Sequence, residues 1–278
     1  MTIEFNPMRS LIYVDVCKED YRHKLQYWLY YHHIPESMSQ FQPYCTKYAF
    51  YNALPVPEDG ARFGTIRMQL TEHHWLVNIM DPQLKVKALK EFTPVDMLKW
   101  QGVVPETEEQ AMLTGDEGRS VGGNNGCPPF VFAFLPMWWE EDIKGCDRMM
   151  EDGPNYRWNF SLNYPEGVSA EEGDRWLFEE VLPAFKEMDE CTRILTSKIK
   201  REVNNCPMHR VVEMWFDGPT AWRTAAVEKA KAIKAPSWAK EGDIFPYLKA
   251  GFEIRGVFVT DYATCDAYSQ YRGYIPMR

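Results

Sequence analysis

The chain has no apolar run long enough to cross a bilayer, no cysteine pair at Cys-x-x-Cys spacing and no excess of basic charge. The first absence argues against a transmembrane helix, which needs about 20 consecutive apolar residues. The second, with an odd total of seven cysteines, argues against structural zinc and for a reducing compartment. The third follows from 31 Lys and Arg against 40 Asp and Glu, a net charge of -9. Nucleic acids and anionic membranes recruit basic patches, so neither is an expected partner. The opening residues, Met1-Thr2-Ile3-Glu4-Phe5-Asn6, lack the basic and apolar regions of a secretory signal, and a cytoplasmic location is expected.

Two literal motifs fail in context. Gly118-Arg119-Ser120-Val121-Gly122 has the spacing of a nucleophile elbow. That elbow needs a buried strand before it and a helix after it, and here an acidic stretch precedes and Gly- and Asn-rich residues follow. Gly122-Gly123-Asn124-Asn125-Gly126 lacks both the Lys of a phosphate loop and the spacing of a dinucleotide fingerprint. What the chain has in abundance is rings: 10 Trp, 15 Tyr and 15 Phe, 14% of its 278 residues. Composition alone fits both a ring-rich core and a pocket for a flat aromatic ligand.

The second half reads most cleanly. Residues 156–164 alternate ring or apolar with polar, a strand pattern. Ser169 with Glu172 makes a capping box that opens a helix to about Met188. Residues 191–202 and 209–216 read as strands, Asp217 with Pro219 starts a helix to about Lys234, and residues 252–261 read as a fourth strand. The order β-α-β-β-α-β is the ferredoxin-like unit. The first half repeats it less regularly. Residues 10–16 read as a strand, 19–33 as a helix and 44–53 as a strand. Residues 65–70 and 75–80 read as strand pieces around a turn, 94–101 as a short helix and 130–135 as an apolar strand.

Tyr27-Trp28-Leu29-Tyr30-Tyr31-His32-His33-Ile34-Pro35 aligns without gaps on Arg175-Trp176-Leu177-Phe178-Glu179-Glu180-Val181-Leu182-Pro183, which supports an internal duplication. The expected organisation is α+β, two ferredoxin-like (βαββαβ) repeats over 1–139 and 156–278 forming an α+β barrel, with 140–155 as linker.

On these residues the chain resembles the EthD-like branch of the dimeric α+β barrel superfamily. Trp28 with His33-Ile34-Pro35 is similar to that family's Trp…His-x-Pro signature, and Val211-Val212-Glu213-Met214-Trp215-Phe216-Asp217 to its third strand. The resemblance implies two sheets facing each other around a barrel, usually across a homodimer, which a tandem repeat can also build within one chain. Val181 stands where His33 stands in the first repeat, so chemistry tied to that histidine belongs to the first repeat alone.

His33 is therefore the first candidate acid–base group, since imidazole titrates near neutral pH. His74, at a strand edge before Trp75, is the second. Tyr44, Tyr48 and Phe50 share one strand face with Thr46; if that face lines the barrel, Tyr48 donates a proton there. Glu213 lies mid-strand in an apolar run, and a carboxylate entering the barrel has a raised pKa. Tyr30, Tyr44, Trp75, Trp138, Trp139 and Trp158 are the candidate walls for a flat ligand. No histidine spacing supports a metal, and no cofactor is expected, although some relatives in the superfamily bind haem. The expected function is a cofactor-independent lyase acting on a bulky phenolic aromatic, such as a lignin-derived dimer, by His, Tyr and Glu acid–base catalysis. The alternatives are a non-catalytic barrel that binds an aromatic ligand, or a cyclase or monooxygenase of the superfamily.

Overall fold

The structure, a computed structural model, describes residues 8–16, 19–35, 38, 45–75, 130–137, 141–145, 156–200 and 208–267. Among the described residues, ten strands form two antiparallel five-stranded sheets. The first holds β1 (Met8–Val16), β2 (Cys45–Tyr51), β3 (Gln69–Trp75) and β4 (Phe130–Met137), with β10 (Cys265–Asp266), in the order β10-β2-β3-β1-β4. The second holds β5 (Glu141–Lys144), β6 (Tyr156–Leu162), β7 (Cys191–Lys198), β8 (Arg210–Phe216) and β9 (Ile254–Val259), in the order β5-β7-β8-β6-β9. Without the short edge strands the two orders are identical, and each is that of a ferredoxin-like unit. The edge strands cross the expected boundaries. β5 comes from the stretch read as a linker, and β10 leaves the second repeat to pair with β2.

Helix α1 (22–33) covers the outer face of the first sheet, with Leu25, Trp28 and Leu29 packed on Val14, Tyr48, Phe50 and Trp75. Helices α2 (170–186) and α3 (219–232) cover the second sheet, packing around Trp158, Phe160, Met214 and Phe258. The inner faces of the sheets meet each other. Leu11, Tyr13, Ala49, Tyr51 and Leu70 from the first pack against Val211, Val257 and Val259 from the second. The barrel closes within one chain. Met137 bridges Ile199, and the connection after β2 runs along β9, with Leu54 N–H donating to Phe258 O at 2.7 Å and Ile66 N–H to Gly256 O at 3.0 Å. Gly64 makes that approach possible. It has φ 64°, and a Cβ there would lie 2.0 Å from the Ile254 carbonyl oxygen.

The structure extends the duplication well beyond nine residues. In α1 the Ile34 N–H bonds to Leu29 O, and in α2 the Leu182 N–H bonds to Leu177 O, both five residues back instead of four. A proline follows each widened turn, Pro35 and Pro183, where a regular helix would meet a clash with the carbonyl four residues back. The second strands also match. Cys45-Thr46-Lys47 and Cys191-Thr192-Arg193 each slip register at the same step. Thr46 Oγ1 donates to His74 O, and Thr192 Oγ1 to Trp215 O. These pairings place Arg9 on Arg157, Glu72 on Glu213 and His74 on Trp215.

Residues 65–80 differ from expectation. β3 is a single strand that runs through Glu72, His73 and His74, and Thr65 makes only an isolated bridge. The adjacent histidines do not form a turn because each has a partner on its own side of the sheet. The helix expected at 94–101 lies outside the described residues.

Candidate functional site

β1, β6 and β8 are covered on both faces, so their polar side chains have to find partners inside the protein. On the inner face Arg9, Arg157 and Glu213 form, with Glu72 of β3, a square of two arginines and two glutamates, one of each from each repeat. Arg9 donates through Nε to Glu72 Oε1 at 2.8 Å and through Nη1 and Nη2 to both oxygens of Glu213. Arg157 donates through Nε and Nη2 to Glu213 Oε2, and its Nη1 lies 3.5 Å from Glu72 Oε2. Lys47 Nζ and the Tyr51 hydroxyl donate to Glu72 Oε2 at 3.0 and 3.2 Å. Asn159 Nδ2 donates to Glu213 Oε2, and Asn159 Oδ1 accepts from the Tyr13 hydroxyl. His74 Nε2 completes the group at 2.8 Å from Glu72 Oε1.

All four square residues are buried. Desolvation alone would raise both carboxyls. Arg9, Lys47 and Arg157 instead hold Glu72 well below the usual carboxylate range, and Arg157 and Arg9 do the same for Glu213. The raised pKa expected at Glu213 is thus reversed: its carboxylate stays ionised and holds no proton to give at neutral pH. The hollow expected between the sheets is, among the described residues, occupied by this square and the apolar side chains beside it.

A different cluster lies on the outer face of the first sheet, under α1. His33, on the widened turn, stacks on Trp28 with ring centroids 4.4 Å apart. His73 stacks on Tyr48 at 4.3 Å, and its Nδ1 is 3.2 Å from Ser10 Oγ, which accepts from Trp75 Nε1 at 3.0 Å. Ser10, Tyr48, His73 and Trp75 are buried and His33 is half-buried. Burial pushes both imidazoles down to about 3, and at His73 the neighbouring His33 adds to the effect. Both rings are neutral at pH 7, each with one donor and one acceptor nitrogen. An imidazole so depressed is a weak base until an anionic oxygen arrives beside it and raises its proton affinity.

The second repeat shows what this layer needs merely to fold. At the places of Ser10, His33, Tyr48, His73 and Trp75 it carries Trp158, Val181, Ile194, Met214 and Phe216, all buried and apolar in their packing. The first repeat has exchanged that plain core for two histidines, a serine, a tyrosine and an indole with a hydrogen bond.

The sequence candidates therefore divide between two faces. Glu213 and His74 lie between the sheets. His33, Tyr48 and Trp75 lie together under α1, with half-buried Tyr30 nearby, its hydroxyl 3.4 Å from Gln69 Nε2. Tyr48 does not line the barrel: the β2 face that does carries Lys47, Ala49 and Tyr51, because the slip after Cys45 sets the alternation. Trp158 lies in the second repeat's core against Phe63 and Trp222. Tyr44, Trp138 and Trp139 lie outside the described residues. Sequence patterning does not single out His73 or Ser10. A signal existed in the Ser10–His73 strand pairing, which is readable once residues 69–75 are taken as one strand. Among the described residues no group of three His, Cys, Asp or Glu suits a metal, and no helix is long and apolar enough to cross a membrane.

A model of the chalcone isomerase N-terminal domain matches residues 5–106, which include the cluster under α1. No curated protein matches the chain. Among solved structures the chain is similar to an anthrone oxidase-like protein, at 9% identity and a TM-score of 0.47, over 96% of this chain and 94% of that one. It is also similar to a mutant chlorite dismutase from Candidatus Nitrospira defluvii in complex with cyanide, at 8% identity and a TM-score of 0.46, over 92% and 91%. At these values no activity transfers from either protein.

Proposed function

We propose that this chain is an enzyme that moves protons on a bulky, flat phenolic substrate held under α1 against the first sheet. The observation that carries the reading is the exchange of buried apolar residues in one repeat for Ser10, His33, Tyr48 and His73 in the other. Polar side chains cost desolvation energy to bury even when they find partners, so four of them where the other repeat packs apolar residues point to use rather than packing.

The reaction that suits two neutral imidazoles is an addition or elimination beside a conjugated carbonyl. His33 accepts the proton of a phenol as the phenol oxygen adds to the β-carbon, the enolate oxygen that forms supplies the anion that holds the imidazolium, and the same imidazolium then protonates the enolate at its α-carbon. No net proton is gained, and the reverse sequence is an elimination. The match of residues 5–106 to a domain named for an isomerase of chalcones, which are two aryl rings joined by an enone, supports this substrate class. A lyase acting on phenolic dimers draws on the same groups.

Incubation with hydroxychalcones and phenolic dimers, followed by absorbance and mass spectrometry, tests the reading. Unchanged mass with lost enone absorbance marks isomerisation, and a lost fragment marks a lyase. Either change has to vanish in His33→Val with the fold intact. Saturable binding without turnover, unaffected by that substitution, would make the chain a binding protein instead.

A further inference from the structure

The proton positions in the Trp75–Ser10–His73 chain follow from counting donors. The Trp75 indole N–H can only donate, and Ser10 Oγ accepts it at 3.0 Å. Ser10 is fully buried, and among the described residues its hydroxyl has one other partner, His73 Nδ1 at 3.2 Å. Were Nδ1 to carry a hydrogen, two donors would converge on Ser10 and its own hydrogen would be buried with no acceptor. That arrangement costs about 1–3 kcal/mol. The hydroxyl therefore donates to Nδ1, and the His73 proton sits on Nε2.

Among the described residues the His73 side chain makes one hydrogen bond, through Nδ1, and the residue is 5% exposed. The fold does not require this arrangement. At the same three places the second repeat has Trp158, Met214 and Phe216, and its core is intact.

We propose that His73 Nε2–H donates a hydrogen bond to the carbonyl oxygen of the bound substrate, where charge gathers as the enone is attacked, and that Ser10 and Trp75 fix the tautomer that allows it. This rests on the reading of the layer under α1 as the substrate site. His33, from α1, is then the proton carrier and His73, from β3, the neutral electrophile. Tyr48 packs on the face of the His73 ring and holds its plane. A neutral imidazole suits this work: it stabilises an oxyanion without surrendering its proton. Ser10 and Trp75 are positioning residues, acting through His73.

The test has two readouts. Nitrogen NMR of the labelled protein at pH 7.5, with His73→Met used to assign the signals, reports the tautomer. The result expected is a protonated Nε2 and an unprotonated Nδ1, with the ratio moving toward a mixture in Ser10→Ala. Infrared spectroscopy with 4-hydroxychalcone reports the carbonyl. Its stretch shifts to lower frequency on binding, and the shift disappears in His73→Met. With 2′-hydroxychalcone, whose phenol oxygen can reach the β-carbon, kcat of His73→Met falls about 100- to 1,000-fold with KM little changed, while Ser10→Ala loses a smaller part of kcat. A proton on Nδ1 overturns the proposal. So does a bound carbonyl band that is the same in His73→Met. If 4-hydroxychalcone does not bind the wild-type protein at all, the substrate site itself is misplaced and the proposal falls with it.

Discussion

Replacing His73 with methionine, the residue the second repeat holds at that place, gives the protein a measurable change in its response to acid. In the folded chain burial pushes this imidazole down to about 3, whereas an unfolded histidine titrates near 6.5. Between those values the unfolded state takes up a proton that the folded state refuses. The stability that goes with the neutral ring is complete above pH 6.5 and declines as pH falls toward 3. Each pH unit in that window is worth about 1.4 kcal/mol for one histidine, so from pH 7.5 to pH 5 wild type loses about 2 kcal/mol through His73. His33 responds in the same direction and is present in both proteins, as are Glu72 and Glu213, whose depressed carboxyls matter only below the ordinary carboxylate range. Urea unfolding at the two pH values isolates the difference. The stability of His73→Met relative to wild type should rise by about 2 kcal/mol on going from pH 7.5 to pH 5. A relative stability that does not change with pH would mean that His73 is not a buried neutral ring, and the reasoning about its tautomer would go with it.

Other perturbations separate the two clusters. Glu213→Gln leaves Arg9 and Arg157 facing one carboxylate in a buried square, and should cost about 3–5 kcal/mol in chemical unfolding. Arg9→Met with Glu213→Leu removes one charge of each sign, and its cost should be well below the sum of the single changes, as a double-mutant cycle would show. His33→Val should leave the unfolding midpoint at pH 7.5 nearly unchanged, since Val181 fills the equivalent place, while removing turnover. Gly64→Ala forces a Cβ against the Ile254 carbonyl oxygen at a positive φ, and should destabilise by about 2 kcal/mol or more with a lower thermal midpoint.

Much of this architecture is legible in the sequence because it rests on local rules. The Ser169 cap is one case: its Oγ accepts from the Glu172 N–H at 3.1 Å, as the capping pattern requires. The strand order of the second repeat and the Trp28–Pro35 match on Trp176–Pro183 are others. The faces were harder to assign. Period-two alternation tells a buried face from an exposed one, but β6 and β8 are buried on both. Nothing in the pattern around Tyr48 then says whether it faces the other sheet or α1, and the register slip after Cys45 decides it. The Arg9–Glu213 pair joins residues 204 positions apart, and no local signal marks such partners. Without Arg9 and Arg157 in view, a buried glutamate reads as one with a raised pKa. Two adjacent histidines resemble a turn in sequence, whereas in β3 they face opposite layers, His73 toward Ser10 and His74 toward Glu72.

A crystal structure of the protein with 4-hydroxychalcone bound tests the central claim most directly. The account predicts the aryl rings under α1 on the outer face of the first sheet, with oxygen atoms within hydrogen-bond reach of His33 and His73. A ligand seated between the sheets beside Arg9 and Glu213, or in the second repeat against Trp158, would contradict it.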